Sequence, residues 1–449
     1  MLAKYFRFSD QGTSLRIEIQ AGLATFLTMA YIIFVQPAVL SRTFDGKETG
    51  LDPGALMLAT CLGSALATLA MGLYARYPVA LAPGMGENFF FVSVIMALSA
   101  RGVANPVGVA LGIVVIYGAL YFLLCLLPVR KALIAVLSSS MKHALAVGIG
   151  LFIAFIGLKN TGLILPDPAT LVRFNPNLAQ PNLLIFFFGL FVIAALQARR
   201  VPGAMIIGIL AAAAFALIIG QVEYEGIFGL PAVKESAFFR ADIPGALSLA
   251  ALPFIVIFLF MDLFDTVGTL IGVGEQAGLV RNNDLPRAKE ALLVDSGAAV
   301  AGALMGTSTV TCYIESAAGV SAGGRTGMTS VVTGLLFLSA LLLGPLVSMV
   351  GKNPAITAPA LLMVGTLMLR NASRIDWDDA SEAIPACLII LGIPFSYSIA
   401  NGLALGFISY PAVKFLSGKG KSVSPLAYVL AAILVLYFVY VYARVRGGA

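Results

Sequence analysis

Two carboxylates occur where a polar side chain is least expected. Asp262 and Asp265, in the stretch MDLFDTVGT at 261–269, directly follow the uncharged run ALPFIVIFLF at 251–260. On a helix, residues three apart lie on one face, and Thr269 continues the face that carries Asp265. A carboxylate at mid-membrane costs about 2.5–3.5 kcal/mol even on the most lenient scale, so it persists only where it meets protein, a ligand or water. The pair therefore indicates either interhelical hydrogen bonds and ion pairs, or a binding and proton-transfer site.

A third carboxylate, Glu315, follows a stretch that suits an extended chain. The residues GTSTVTC at 306–312 are rich in hydroxyl and β-branched types, which favour a strand. A short helix is predicted from about Tyr313, and Glu315 at its start is either a carboxylate favoured by the helix dipole or a ligand-binding group. Extended backbone buried in a bundle offers N–H and C=O groups to a ligand. The small residues from Ser316 onward would let a helix or a substrate approach closely.

A second interrupted segment occurs in the N-terminal half of the chain, at the position that matches the one before Glu315 in the C-terminal half. In VALAPGMGENFFFVSVIMAL at 79–98, Pro83 and Gly84 preclude a regular helix at the start. Asn88 then begins a half-helix, as its N-cap, as a ligand contact or as both. Phe89 either packs or stacks on a ligand, and Glu87 has no assigned role. Two interrupted segments at matching positions indicate a transporter binding site.

Composition defines the class of protein. Of 449 residues, 59% are apolar and 11% are charged, whereas a soluble domain carries about 25% charged residues. Recurrent runs of about 20 apolar residues predict a polytopic α-helical membrane protein. The net charge of +6 is interpreted as topology-setting Lys and Arg, with no nucleic acid as partner. One histidine and four scattered cysteines indicate no metal site, and we expect no cofactor.

The apolar runs fall into two series of seven spans. The predicted spans are 19–40, 55–75, 82–99, 107–127, 141–158, 182–198 and 202–221, then 249–272, 289–306, 309–323, 328–350, 355–370, 381–398 and 400–416. An odd number of spans per series would invert the two halves. The last run, 426–444, is a fifteenth span, an interfacial helix, or a sign that an earlier span is split wrongly.

Basic residues mark alternate connections between these spans. They are Arg76, Arg130, Lys131, Arg199, Arg200, Arg281, Arg287, Lys289, Arg325, Arg370 and Arg374. The positive-inside rule then places these connections, and the polar N-terminus with them, in the cytoplasm. Asp295, in ALLVDSGAAVAGAL, is expected to pair with a cytoplasmic Arg or Lys.

Several of these motifs resemble those of a known family. PGMGENFFF, FMDLFDTVGTLIGV and GTSTVTCYIESAAGVSAGGRTG resemble the AzgA-like purine permeases, a branch of the nucleobase–cation symporter-2 superfamily. TFLTMAYIIFVQP, APALLMVG and IPFSYSIANGLALGFISYP match as well. The resemblance covers nearly the whole chain. It implies about 14 helices in two inverted seven-helix repeats, as in the uracil permease, with short strands that break helices 3 and 10 and meet near the substrate.

The resemblance also implies a division into core and gate domains. The expected parts are a cytoplasmic N-terminus at 1–18, core halves at 19–127 and 249–350, gate halves at 128–225 and 351–449, and an inter-repeat connection at 226–248. The resemblance also implies a multi-pass protein of a bacterial cytoplasmic membrane, and it is compatible with a homodimer.

Family resemblance assigns roles to individual residues. The binding carboxylates would be Asp265 and Glu315, with Asn88 as the helix-3 asparagine. The full expected substrate site is Glu315, Asp265, Asn88, Thr28, Phe89, Thr269, Tyr313 and Ser316, and the proton-coupling residues are Asp265, Glu315 and Asp262. The chain departs from the family at Glu87, usually apolar, and at Cys312, usually threonine.

These assignments predict a secondary transporter, not an enzyme, that imports a purine nucleobase by proton symport. Two carboxylates can accept hydrogen bonds from purine N–H groups. The main alternative is an anion transporter of related fold, of the sulfate or bicarbonate kind, but Asp265 and Glu315 would repel an anion. A membrane enzyme is a further alternative that no nucleophile, metal or cofactor pattern favours.

Overall fold

The computed structural model describes residues 2–127, 138–248, 251–279 and 285–447. It is mainly helical, and within that part of the chain eight helices are long and apolar enough to cross a membrane. The predicted class, a polytopic helical protein with two strand-broken segments, is confirmed. The count of 14 spans and the cytoplasmic N-terminus stay predictions. The basic residues Arg130, Lys131 and Arg281 lie outside the described residues.

Helices follow one another along both series of spans. In the first, α1 is Leu2–Tyr5, α2 Leu15–Met29, α3 Ile32–Leu40, α4 Pro53–Ala70, α5 Met85–Ala100, α6 Pro106–Leu126, α7 Ser139–Asn160, α8 Pro181–Ala198 and α9 Ala204–Ile218. In the second, α10 is Ile243–Ala246, α11 Leu252–Gln276, α12 Ala288–Leu304, α13 Ser316–Ser321, α14 Gly327–Ser339, α15 Gly344–Gly351, α16 Pro354–Leu369, α17 Ala380–Phe395, α18 Ile399–Leu416 and α19 Pro425–Gly447. The last apolar run is thus a helix.

Two short strands replace helix at the interrupted segments. β1, Leu81–Pro83, pairs antiparallel with β4, Val310–Cys312, and every residue of both strands is buried. The pairing extends at both ends, where the Gly84 amide donates to the Thr309 carbonyl at 3.0 Å and the Tyr313 amide to the Ala80 carbonyl at 2.9 Å. A buried backbone without such partners would cost several kcal/mol per unpaired group, so each strand needs the other.

An unpredicted hairpin follows α7. β2, Ile164–Asp167, pairs with β3, Leu171–Phe174, and the second strand is exposed throughout. The Asp167 carboxylate accepts hydrogen bonds from the amides of Ala169 and Thr170, which forms the turn. The turn sequence DPAT contains the residue types that favour such local bonds.

The chain forms two compact parts. The first comprises Met1–Leu126 and Ile156–Leu361, and it contains β1, β4 and the helices that carry the predicted site residues. In this part α12 packs on α6, and α14 packs on α2 and α4. The second comprises Leu127–Phe155 and Leu362–Ala449, in which α18 packs on α17 and α19. The predicted core and gate boundaries differ from this division and remain a prediction.

Glycines allow α14 to lie directly against the turn Met71–Ala75. A Cβ added at Gly327 would lie 2.0 Å from the Gly72 carbonyl oxygen and 2.8 Å from the Arg76 Cα. Both obstacles are backbone atoms, so a side chain at this position forces the two elements apart.

Replacing Gly327 with alanine should destabilise the protein by about 1–3 kcal/mol because the added methyl overpacks a backbone contact. Thermal unfolding of the detergent-solubilised variant measures the effect. Gly297→Ala is the matched control, since no atom lies within 4 Å of a Cβ added there. Equal melting temperatures for the two variants would contradict the close approach of α14.

Candidate functional site

Glu315 occupies the turn between β4 and α13. The Tyr31 hydroxyl donates to its Oε1 at 2.9 Å, and the Thr28 hydroxyl lies 3.4 Å from its carbonyl oxygen. Thr28 lies in the last turn of α2, and Tyr31 lies in the two-residue turn, Ala30 and Tyr31, between α2 and α3. Oε2 of Glu315 has no hydrogen-bond partner among the described residues, and the side chain is half-buried. Tyr31 therefore binds one carboxylate oxygen of Glu315, and the other can accept a hydrogen bond from a ligand.

Asp265 lies on the neighbouring helix α11 and is exposed, whereas Thr266 and Thr269 beside it are buried. It makes no hydrogen bond or ion pair to any residue that the structure describes. Helix α11 packs on α13. A Cβ at Gly272 would lie 3.5 Å from Ile314 Cδ1, and the Gln276 amide donates to the Ser321 hydroxyl at 2.9 Å. Asp265 and Glu315 thus lie on adjacent, packed elements.

Asp262 has a different environment from Asp265, although one helical turn separates them. It is completely buried, and its Oδ2 lies 3.4 Å from the Tyr117 hydroxyl. That hydroxyl also bonds to the Thr309 hydroxyl, next to β4. Oδ1 of Asp262 is buried without a partner. The two carboxylates share a helix face only in part, and Asp262 belongs to the interior.

Asp295 was expected to pair with a basic residue, and this expectation is wrong. Its carboxylate accepts from the Thr266 hydroxyl at 2.6 Å, the Thr311 hydroxyl at 3.2 Å and the Cys312 amide at 3.0 Å. No Lys or Arg of the described ranges forms an ion pair with it. These three donors satisfy the buried charge, and Asp295 thereby connects α12 to α11 and β4.

Asn88 lies within a buried amide network. The N-cap of α5 is Gly84, so the N-cap role predicted for Asn88 is wrong. Its Nδ2 donates to Gln36 Oε1, and its Oδ1 accepts from the Ser308 hydroxyl. The Gln36 amide in turn donates to the Thr307 hydroxyl at 2.8 Å. The network ties α3 and α5 to the segment before β4.

Three other predicted site residues also support the strands or their surroundings. The Tyr313 hydroxyl donates to the Pro83 carbonyl at 2.5 Å, and the Ser316 hydroxyl accepts from the Ala80 amide at 3.0 Å. Phe89 is buried and stacks on Phe44, with ring centroids 5.9 Å apart. Direct contact of these residues with a substrate stays a prediction.

Glu87, which had no assigned role, lies at the start of α5. A Cβ added at Gly84 would lie 2.2 Å from Glu87 Oε2, so the carboxylate folds back over the first helical turn. A negative charge is favourable at this end of a helix. The space it fills exists because residue 84 has no side chain.

Sequence reasoning missed Tyr31, Gln36 and Thr266. Tyr31 lies three residues after Thr28, and Gln36 is a lone amide in an apolar run before Pro37. Both are polar groups at membrane depth, which is a usable signal. Thr266 adjoins Asp265. A threonine hydroxyl in a helix commonly bonds to a carbonyl of its own helix, so the sequence does not indicate that it has a distant partner.

The site as a whole is acidic. Its carboxylates are Glu87, Asp262, Asp265, Asp295 and Glu315, and none of them pairs with a basic side chain in the described ranges. In the same part of the chain no group of His, Cys, Asp and Glu could hold a metal ion. The open oxygens of Asp265 and Glu315 can accept hydrogen bonds from N–H groups of an uncharged polar ligand.

The fold is similar to that of a solved transporter. The transmembrane domain of a cyanobacterium bicarbonate transporter, BicA, superposes with a TM-score of 0.62 at 16% identity, covering 87% of this chain and 97% of that one. At this identity the likeness concerns the fold alone.

Sequence comparison gives the family. Residues 16–405 match the model described as the Permease family, Xan_ur_permease. The chain is 43% identical to guanine/hypoxanthine permease PbuG of Bacillus subtilis, over 97% of this chain and 99% of that protein. It is 41% identical to adenine permease AdeP of Escherichia coli, over 99% and 97% respectively. The chain therefore belongs to the permease family of nucleobase–cation symporters, in its AzgA-like purine permease branch.

Proposed function

We propose that this permease imports purine nucleobases, by symport with protons, across a bacterial cytoplasmic membrane. The names of its relatives support the substrate class, because PbuG is a guanine/hypoxanthine permease and AdeP an adenine permease. The N-terminus would lie in the cytoplasm. Transport is secondary, and purine and proton are the partners.

The observation that carries the proposal is the pair of open carboxylates. Asp265 is exposed and unpartnered among the described residues, and Glu315 keeps one oxygen free while Tyr31 holds the other. A purine is planar and carries N–H donors that such oxygens accept. Leaving one buried donor unpaired costs about 1–3 kcal/mol, so the pattern of groups on the purine edge would determine selectivity.

The lack of a basic partner for these carboxylates among the described residues supports the proposed proton coupling. Two nearby carboxylates repel each other in a medium of low dielectric constant, and one proton removes most of that repulsion. Asp265, which is exposed, would take the proton, and Glu315 would act as the main purine ligand. Asp262, with its unpartnered buried oxygen, would take part in proton coupling from the interior.

The remaining predicted contacts would complete the pocket. The Thr28 hydroxyl lies 3.4 Å from the Glu315 carbonyl oxygen, and Thr269 lies one turn beyond Asp265 on α11. Asn88, Phe89, Tyr313 and Ser316 would contribute by shaping the strands beside the proposed substrate site.

Neutralising either carboxylate should abolish or cripple purine uptake. Glu315→Gln lacks the negative charge but keeps an oxygen that can accept from the Tyr31 hydroxyl. Asp265→Asn likewise removes the charge of Asp265, on α11, at nearly constant size. Radiolabelled hypoxanthine uptake in cells measures the effect, with membrane protein quantified by immunoblot. Glu275→Gln, an exposed position on the same helix, is the control. Full transport by both site variants would refute the assignment.

Removing the Tyr31 hydroxyl should weaken purine binding without stopping turnover. Tyr31→Phe leaves Glu315 Oε1 without its donor, and a hydrogen bond to a charged group contributes about 1.5–3 kcal/mol. We expect the KM for hypoxanthine to rise about tenfold or more. Tyr428→Phe, whose hydroxyl donates to the Gly420 carbonyl at 3.1 Å, is the control. An unchanged KM would show that Tyr31 does not orient Glu315.

Competition separates purine transport from anion transport. Unlabelled adenine, guanine or hypoxanthine should reduce labelled uptake, whereas sulfate and bicarbonate should not, because Asp265 and Glu315 repel anions. A protonophore should abolish accumulation, while removal of sodium should not. Inhibition by sulfate, or accumulation that survives the protonophore, would contradict the proposal.

A further inference from the structure

Glu18 is a buried carboxylate in the first turns of α2, and it binds the loop that follows α13. Its Oε1 accepts from the Arg325 amide at 3.0 Å. Its Oε2 accepts from the Thr329 amide at 3.1 Å and from the Thr329 hydroxyl at 2.6 Å. Glu18 is fully buried. Its carboxylate thus caps the start of α14 from another helix, where a negative charge is favourable.

Arg325 secures the other side of the same loop. Its guanidinium donates to the Val320 carbonyl at 2.6 Å and the Gly324 carbonyl at 2.8 Å. The Val320 carbonyl lies in the last turn of α13, where a helix leaves such groups without internal partners, and the Gly324 carbonyl lies in the loop itself. The loop 322–326 is therefore held by a carboxylate towards α14 and by a cation towards α13.

One face of α2 contacts α13 and the loop that follows it. Glu18, Ala21, Thr25 and Thr28 are spaced by three or four residues and so share that face. A Cβ added at Gly319, in the middle of α13, would lie 2.6 Å from the Ala21 carbonyl oxygen and 2.1 Å from Thr25 Oγ1. Thr28 then reaches Glu315 at the opposite end of α13. Helix α2 thus contacts the turn before α13, the middle of α13 and the loop that follows it.

Helix α14 is itself fixed against α2. The Thr333 hydroxyl donates to the Gly22 carbonyl at 3.0 Å, and a Cβ at Gly22 would lie 2.7 Å from the Thr329 carbonyl oxygen. Movement of the loop 322–326 relative to α2 would break these contacts or those of Glu18. The six-residue helix α13 has few internal bonds, so its position depends on such external ones.

We propose that Glu18 is a positioning residue for Glu315. By fixing the loop 322–326 it holds α13 against α2, and so sets the place of Glu315 at the start of α13 without touching the purine. The effect on transport rests on the proposed role of Glu315 as a purine ligand, whereas the effect on α13 does not.

The hydrogen-bond donors around Glu18 make Glu18→Gln the substitution that tests its positioning role. Both oxygens of Glu18 face backbone N–H donors, so a glutamine must turn its own NH₂ group towards one of them. A hydroxyl can rotate away from this conflict, but a backbone N–H cannot. Glu18→Gln therefore loses at least one charge-assisted bond at nearly constant volume. Thr329→Val removes the hydroxyl donor alone, and Thr329→Ser retains all three donors.

Two measurements on purified full-length protein test the proposal. Hydrogen–deuterium exchange without purine reports on the segment 316–326 directly. We expect exchange there to accelerate in Glu18→Gln and, less strongly, in Thr329→Val. The KM for hypoxanthine should rise about tenfold in Glu18→Gln, as expected for one lost charge-assisted bond, with Vmax nearly unchanged. Asp10→Asn, an exposed acid of the same N-terminal region, is the control.

The outcomes separate this inference from the proposed function. The positioning role is supported if Thr329→Ser keeps the wild-type exchange rate and KM while Thr329→Val shows faster exchange of 316–326. Wild-type exchange of 316–326 in both Glu18→Gln and Thr329→Val overturns it. If Glu18→Gln does not fold, Thr329→Val alone decides. Faster exchange together with full uptake by Glu315→Gln would uphold the contact with α13 and refute the proposed function instead.

Discussion

The pairing of β1 with β4 is the constraint on which the site depends. An extended backbone in an apolar interior must find partners for its N–H and C=O groups, and in this protein each strand provides them for the other. Because Leu81–Pro83 and Val310–Cys312 are extended, α5 and α13 both begin within the interior of the first compact part. Glu315 stands at such a beginning. Without the strand pair, no turn would present that carboxylate.

Most polar groups near β1 and β4 form hydrogen bonds that hold the two strands in place, and few described groups lack such a structural partner. Asp295 binds the Cys312 amide, Ser316 binds the Ala80 amide, and Tyr313 binds the Pro83 carbonyl. Asp265 and one oxygen of Glu315 are not used in this way. The functional proposal follows from that contrast, since a carboxylate without a structural partner at this depth is costly unless a ligand or a proton occupies it.

Local chemistry made parts of this site predictable from sequence. Pro83 and Gly84 forbid a helix, and the hydroxyl-rich run before Cys312 favours a strand, so both interruptions were predicted, as was the helical class. The partners of Asp295 were not predictable, because they depend on which distant elements pack together. The role of Tyr31 depends likewise on the contact between the turn that joins α2 to α3 and the turn before α13. The hairpin β2–β3 was missed because its four-residue strands carry no strong periodic pattern.

The most direct test of the central claim is an experimental structure of the full-length protein with hypoxanthine bound. The account predicts that the purine lies with its N–H edge within hydrogen-bond distance of the Glu315 and Asp265 carboxylates, above the β1–β4 pair. A purine bound elsewhere, or Glu315 and Asp265 engaged in ion pairs away from the purine, would contradict it.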